Sequence, residues 1–231
     1  MQHAVGKMLK YSILIFAMLI PEAQAEPARF FYSELPPYEQ TAANGGAEGL
    51  GIDAVKAILT EAGFIPSFEL FSVQRGLAAL QKNIDLTTIV SPTLAQQSEF
   101  LFSKLPVYYI KLGVVRLKST SKLADLVTLQ QHHYVSLNDT FFPYLHEYLP
   151  SSSAFFANQY NVATLDDALR LISHGRYDYF LSYYLTEQEL QSPFLVFDPL
   201  STLPVYLAMS KTHPDAEKML QRVDAALTKH E

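Results

Sequence analysis

The chain has 231 residues, enough for one large domain or two small ones, and 49% of them are hydrophobic, which supports a packed core and excludes a disordered chain. Its 17 basic and 23 acidic residues give a net charge of −6, which argues against nucleic acid as a partner because phosphate binding needs a basic face. There is no cysteine, so disulfides, thiolate metal sites, cysteine catalysis and a lipid-modified cysteine anchor are all excluded.

Residues 1–25 read as a cleaved secretory signal. Lys7 and Lys10 make a positive start, and Tyr11 to Ile20 is an apolar run of about ten residues, the usual signal length. Crossing a bilayer takes roughly 20. Pro21 breaks the run, and Ala23-Gln24-Ala25 has the form of a cleavage site before Glu26. The expected location is the periplasm, where a chain without thiols cannot mispair them.

Arg29 to Ser33 reads as a first strand, ended by Leu35-Pro36-Pro37-Tyr38, where two prolines remove two donors and present Tyr38 on a rigid loop. Thr41 to Gly51 reads as a loop or hairpin turn. Ile52, Val55, Ile58, Leu59 and Ala62 share one face of a helix over Ile52 to Ala62, with Asp53 in its first turn and Gly63 as the left-handed stop. Pro66 to Phe71 is a second strand. Ser72 is a candidate cap for a helix from Val73 to Lys82, whose apolar face is Val73, Leu77, Ala78 and Leu80, and Asn83 is the expected stop.

The stretch from Asp85 to Tyr109 organises the rest. An apolar strand, Leu86 to Val90, breaks into the polar turn Ser91-Pro92-Thr93, followed by a short helix over Leu94 to Glu99. The Phe102 to Tyr109 run reads as the chain leaving one unit for another. A strand ending in hydroxyl side chains before a helix start is a usual place for ligand contacts in an α/β sheet. Beyond it, Ile110 to Leu117 is a strand, and Ser121 caps a short helical turn through Leu126. Tyr134 to Leu137 is a strand, Asn138-Asp139-Thr140 starts a helix running to about Tyr148, and Ala154 to Ala157 is a strand. Thr164 with Asp167, and Thr186 with Glu189, form capping boxes; Gly175 stops the first of these helices and Tyr177 to Ser182 is the next strand. Phe194 to Phe197 and Val205 to Ser210 are strands, and Pro214 opens a last helix with Ala216, Met219, Leu220, Val223 and Leu227 inward. Leu77 to Val90 and Asp167 to Tyr184 share one plan: helix, Asn or Gly stop, Asp, then a strand ending in hydroxyls. Alternating strands and helices of this kind indicate α/β architecture with two similar parallel-sheet lobes.

Taken in order, Pro36-Pro37-Tyr38, Gly51-Ile52-Asp53, the Arg75-to-Asp85 helix–strand, Phe102-Ser103 with Pro106 and Tyr108-Tyr109, Gly175-Arg176-Tyr177-Asp178, and Tyr206 to Lys211 with Pro214 resemble the bacterial extracellular solute-binding proteins, family 3. That resemblance implies a type II periplasmic-binding fold, two α/β lobes joined by two crossover strands around a central cleft. Lobe 1 takes residues 26–108 and 198–231, and lobe 2 takes 109–197. It implies capture of a small polar solute by a monomer, with an inner-membrane ABC permease or a sensor as partner and no cofactor.

Two departures bear on the ligand. Amino-acid binders of this family hold the α-carboxylate with an arginine after the hydroxyl turn; Gln96 or Gln97 stands there. They hold the α-ammonium with an acid after the Gly-Arg-x-Asp turn; Tyr183 stands there. Neutral groups do not offset the desolvation of a buried zwitterion, so the expected ligand is not a standard α-amino acid. Candidate ligand contacts are Tyr38 by stacking, Arg75 as an anion partner, Thr88, Ser91 and Thr93 as hydroxyl donors, Gln96, Thr140 at a helix N-terminus, and Tyr183. Each also has an ordinary structural role open to it. Phe141, Phe142, Phe155 and Phe156 read as core. His132 and His133 point to opposite faces of a strand and make a poor chelate, so no metal is expected. An alternative is an enzyme on the same fold resembling cyclohexadienyl dehydratase, with Glu34 as the nearest acid to Tyr38.

Overall fold

The computed structural model describes residues 25–90, 92, 94–137 and 156–230. The signal segment up to residue 24 therefore lies outside the described residues. So do the expected helix from Asn138 to Tyr148, Phe141, Phe142 and Phe155.

Strand β1 (Glu26–Tyr32) pairs in parallel with β4 (Phe64–Leu70) over its whole length. Alternate β1 side chains, Ala28, Phe30 and Tyr32, enter a core completed by α1 (Leu50–Glu61) and α7 (Ala216–Leu227). The α1 stripe Ile52, Val55, Ile58 and Leu59 and the α7 stripe Ala216, Met219, Leu220, Val223 and Leu227 are all buried there, as their 3.6-residue spacing predicts. Gly63 takes φ +83° after α1, the left-handed stop. Between β1 and α1 lies a small hairpin of β2 (Gln40–Thr41) and β3 (Ala47–Glu48).

Helix α2 (Val73–Leu80) starts at Ser72, but the Ser72 side chain makes no capping bond, and Ala78 is exposed. The stop at Asn83 is not left-handed; the helix ends on right-handed Gln81 and a tight turn, with Lys82, Asn83 and Ile84 N–H all donating to Ala79 O. A turn that satisfies its own donors needs no positive φ. Strand β5 (Thr87–Val90) follows, joined to β1 through the Phe30–Leu86 bridge, and α3 (Leu94–Glu99) has the expected bounds.

A large sheet runs in the order β5, β11 (Leu195–Ser210), β7 (Tyr108–Leu117), β10 (Tyr179–Tyr183), β8 (Tyr134–Leu137) and β9 (Gln159–Val162), with β6 (Phe100–Phe102) also paired to β11. Its spine is β7 against β11, antiparallel throughout. The two strands expected at Phe194 to Phe197 and Val205 to Ser210 are thus one 16-residue strand. Pro199 and Pro204 lie in the stretch between the two expected strands. The ladder absorbs Pro199 in an irregularity between Pro199 and Ser201, and Pro204 sits opposite Tyr109. Phe156 and Ala157 are helical, so that segment is not the strand expected from Ala154 to Ala157; the strand begins at Gln159.

Helix α4 (Leu126–Leu129) replaces the expected turn at Ser121. Its cap is Asp125, whose Oδ1 accepts from Thr128 N–H at 2.8 Å. One of the two expected capping boxes forms in full; at Thr164 only the N-cap half is made, because the Asp167 carboxylate accepts from the Thr164 hydroxyl and not from its backbone N–H. Thr164 accepts from Asp167 N–H at the head of α5 (Leu165–Ser173), and Thr186 and Glu189 cap α6 (Glu187–Leu190) reciprocally. Another core gathers Val115, Val135, Ile172, Phe180 and Leu195 around α5. The result is the α/β, two-lobed type II arrangement, in which β7 and β11 run from one lobe's core into the other's. Among the described residues, no helix is long and apolar enough to cross a membrane.

Candidate functional site

The Pro-Pro loop does more than present Tyr38. Leu35 and Glu39 close it by exchanging backbone bonds of 2.6 and 3.0 Å. The loop then caps α1 with its carbonyls: Leu50 N–H donates to Pro37 O at 3.0 Å, and Gly51 N–H to Tyr38 O at 2.8 Å. These carbonyls are the acceptors for the orphan N–H donors of a helix whose N-cap, Gly49, has no side chain to offer. Gly49 sits at φ +125°, and a Cβ there would lie 2.4 Å from Tyr38 O. The approach is possible only for glycine.

The docked loop buries both Tyr38 and Glu39, each 4% exposed. The Tyr38 ring stacks on Tyr108, with centroids 5.9 Å apart, and its hydroxyl accepts from Lys111 N–H at 3.0 Å. It therefore ties the loop to the first crossover strand. Glu39 turns toward the cleft. Its Oε1 accepts from Thr88 Oγ1–H at 2.6 Å and from the Tyr108 hydroxyl at 2.8 Å. Burial raises the Glu39 carboxyl above the usual carboxylate range, against the lowering effect of the bonds from Thr88, Tyr108 and the Ser33 backbone. Burial, and then the nearness of Glu39, push the Tyr108 hydroxyl well above its ordinary value, so Tyr108 acts as a donor.

These groups border a cavity of about 100 Å³ at the carboxyl ends of β1 and β5. Its polar lining is Ser33, Glu34, Glu39, Thr87, Thr88, Gln96 and Tyr108, set among apolar side chains from β1, α2 and β5. Among the described lining residues there is no lysine or arginine. A larger groove of about 740 Å³, between β6 and α7, is open to solvent on the outer face of the first core and carries no buried polar group.

The sequence-predicted site residues divide accordingly. Thr88 and Gln96 meet at the cavity. Tyr38 stands behind Tyr108, in the apolar cluster that also holds Tyr183, which is 4% exposed. Arg75 is on the exposed side of α2, away from the lining. Ser91, Thr93 and Thr140 lie outside the described residues. Phe156 packs against the cluster of Tyr38 and Tyr183. Glu34, the acid singled out from sequence, is exposed and accepts from Thr41 Oγ1–H at 2.6 Å; the buried acid is Glu39. Glu39 was missed because an acid beside a Pro-Pro turn reads as solvated. Its one signal is position, next to the tyrosine the loop holds.

His132 lies edge-on to Tyr179, with ring centroids 5.0 Å apart. No group of three His, Cys, Asp or Glu with metal-binding geometry occurs among the described residues.

The fold has many solved relatives. A histidine kinase sensor domain with similarity to periplasmic binding proteins superposes with a TM-score of 0.66 at 19% identity, covering 89% of this chain and 90% of that one. The arginine-bound form of truncated ArgBP from T. maritima gives 0.62 at 17% identity, covering 90% and 98%. An amino acid ABC transporter substrate-binding protein from Streptococcus pneumoniae, bound to L-arginine, gives 0.59 at 21% identity, covering 89% and 88%. No curated protein sequence matches the chain. The family model for the bacterial extracellular solute-binding proteins, family 3, matches residues 30–231, which is nearly all of the described chain. With the two-lobed fold and a cleft-facing cavity at the strand ends, the conclusion is direct: the chain belongs to the bacterial extracellular solute-binding proteins, family 3.

Proposed function

We propose that this protein is a periplasmic, monomeric solute-binding component that captures a small polar solute other than a standard α-amino acid and delivers it to an ABC-type permease. Lobe 1 comprises residues 26–108 and 198–231, and lobe 2 residues 109–197, with β7 and β11 as the crossovers. The observation that carries the ligand claim is the lining of the cavity, where Gln96 and Glu39 meet and no cationic side chain stands among the described residues. A buried α-carboxylate there has no guanidinium to pair with, and an amide does not repay its desolvation. Closure follows from a solute that touches both lobes, since only differential affinity shifts the open–closed equilibrium.

The likeness to a histidine kinase sensor domain motivates a second reading, in which the closed form signals to a sensor. The enzyme reading gains a buried acid in Glu39, with the exposed Glu34 carboxylate in the same lining, while Tyr108 is held protonated and does not serve as a base. Native mass spectrometry of protein purified without denaturation, followed by a thermal-shift screen of the solutes it reveals, tests the proposal. A non-zwitterionic solute that raises the melting temperature with concentration supports it. Tight binding of a standard α-amino acid contradicts the ligand claim, and turnover of prephenate or arogenate contradicts the non-enzymatic reading.

A further inference from the structure

We infer that the Glu39 cavity is a subsite for a cationic amine or guanidine group of the solute, with Glu39 as its counter-ion and Thr88 and Gln96 as its polar guides. The inference rests on the solute-binding reading and names the chemistry of one end of the solute. Two carboxylate side chains, Glu34 and Glu39, line this small space, and no described lysine or arginine offsets them. Glu39 is 4% exposed, and its carboxyl has neutral donors, the Thr88 and Tyr108 hydroxyls and the Ser33 backbone N–H, with no cation among them. A buried carboxylate with hydroxyl donors and no cation carries a desolvation cost that a positively charged partner reduces. Burial already shifts the Glu39 carboxyl upward, in keeping with that cost. Size limits the group. A cavity of about 100 Å³ has the volume of a few waters, so it takes an ammonium or guanidinium head with a short stem and not a whole amino acid. The apolar walls from Phe31, Leu35, Val73 and Leu77 suit a methylene stem.

The test compares binding of agmatine, 1,4-diaminobutane and n-butylamine with that of uncharged 1-butanol and anionic butyrate, by calorimetry and thermal shift. Expected is a preference for the amines of about tenfold or more, lost in Glu39→Gln. Gln96→Arg is the second variant. It places an internal guanidinium beside Glu39 and is expected to abolish amine binding even if Glu39→Gln does not fold. Amines that fail to bind, neutral solutes that bind as well as amines, or a preference that survives whichever variants fold overturn the subsite. A neutral or anionic solute that binds and closes the lobes overturns the subsite alone. Solute-binding itself fails only if no solute from the wider screen binds.

Discussion

The rings of Tyr38 and Tyr108 stack 5.9 Å apart and 14° from parallel, so the Pro-Pro loop of lobe 1 and the first residue of the crossover strand form one packed unit. The Tyr38 hydroxyl extends the contact by accepting from Lys111 N–H at 3.0 Å. Replacing Tyr38 by Ala is expected to cost about 3–5 kcal/mol, the usual range for a buried aromatic. Tyr38→Phe keeps the stack and leaves one strand N–H without its acceptor, for about 1–2 kcal/mol. Urea unfolding of the two variants checks the order. Similar losses for both would mean that the hydroxyl bond, not the ring packing, holds the loop.

Gly49 makes that unit possible. Its φ of +125° and the 2.4 Å that would separate a Cβ from Tyr38 O leave no room for a side chain. Gly49→Ala is expected to lower stability by about 1–3 kcal/mol and to weaken the near-ultraviolet dichroism of the buried tyrosines. An unchanged spectrum with unchanged stability would remove the loop-docking account.

Glu39 gives stability a pH dependence of predictable sign. Its folded pKa lies above its unfolded one, so the folded state holds this proton more tightly. Its contribution is fully present below the ordinary glutamate value and is lost as pH rises through the raised value. Glu34 lines the same cavity, while Tyr108 and Tyr38 face the loop and stay protonated across this range. In Glu39→Gln this loss is absent. The stability of the wild type relative to that variant should therefore fall from acid toward neutral pH in denaturant titrations. A difference that rises with pH would mean that Glu39 is stabilised as the anion in the free protein.

Arg116 and Asp198 bind β7 to β11 through a 2.5 Å ion pair whose side chains are 11% and 9% exposed. The same guanidinium donates through Nη1 to the carbonyls of Leu117 and Thr120, holding the turn after β7. Arg116→Met should cost about 3–5 kcal/mol by leaving the buried Asp198 with only the exposed Lys122 at 4.0 Å, and adding Asp198→Leu should restore much of it. A double variant no better than the single would show that the guanidinium's bonds to the turn dominate.

Much of the architecture was legible because local rules and tertiary packing agree. The α1 and α7 stripes, the Gly63 and Gly175 stops, the Thr164 cap, the Thr186–Glu189 capping box and α3 follow from spacing and end chemistry. The failures have physical causes. Ser72 has a capping side chain that makes no capping bond, and Asn83 is relieved of a left-handed turn by bonds to Ala79 O. Pro199 and Pro204 lie in the stretch between the two expected strands, and a sixteen-residue ladder passes through them. In the lining of the cavity, Thr88 was legible as a hydroxyl near a strand end, and Gln96 through the family resemblance. Glu39 was not, since its burial arises when the loop folds back onto α1 and β7, a non-local event that no window of sequence records.

Small-angle X-ray scattering with and without the solute identified by native mass spectrometry tests the central claim most directly. Capture between two closing lobes predicts a smaller radius of gyration in the saturated protein, with the change following the binding isotherm. A solute that saturates the protein and leaves the radius of gyration unchanged would contradict it.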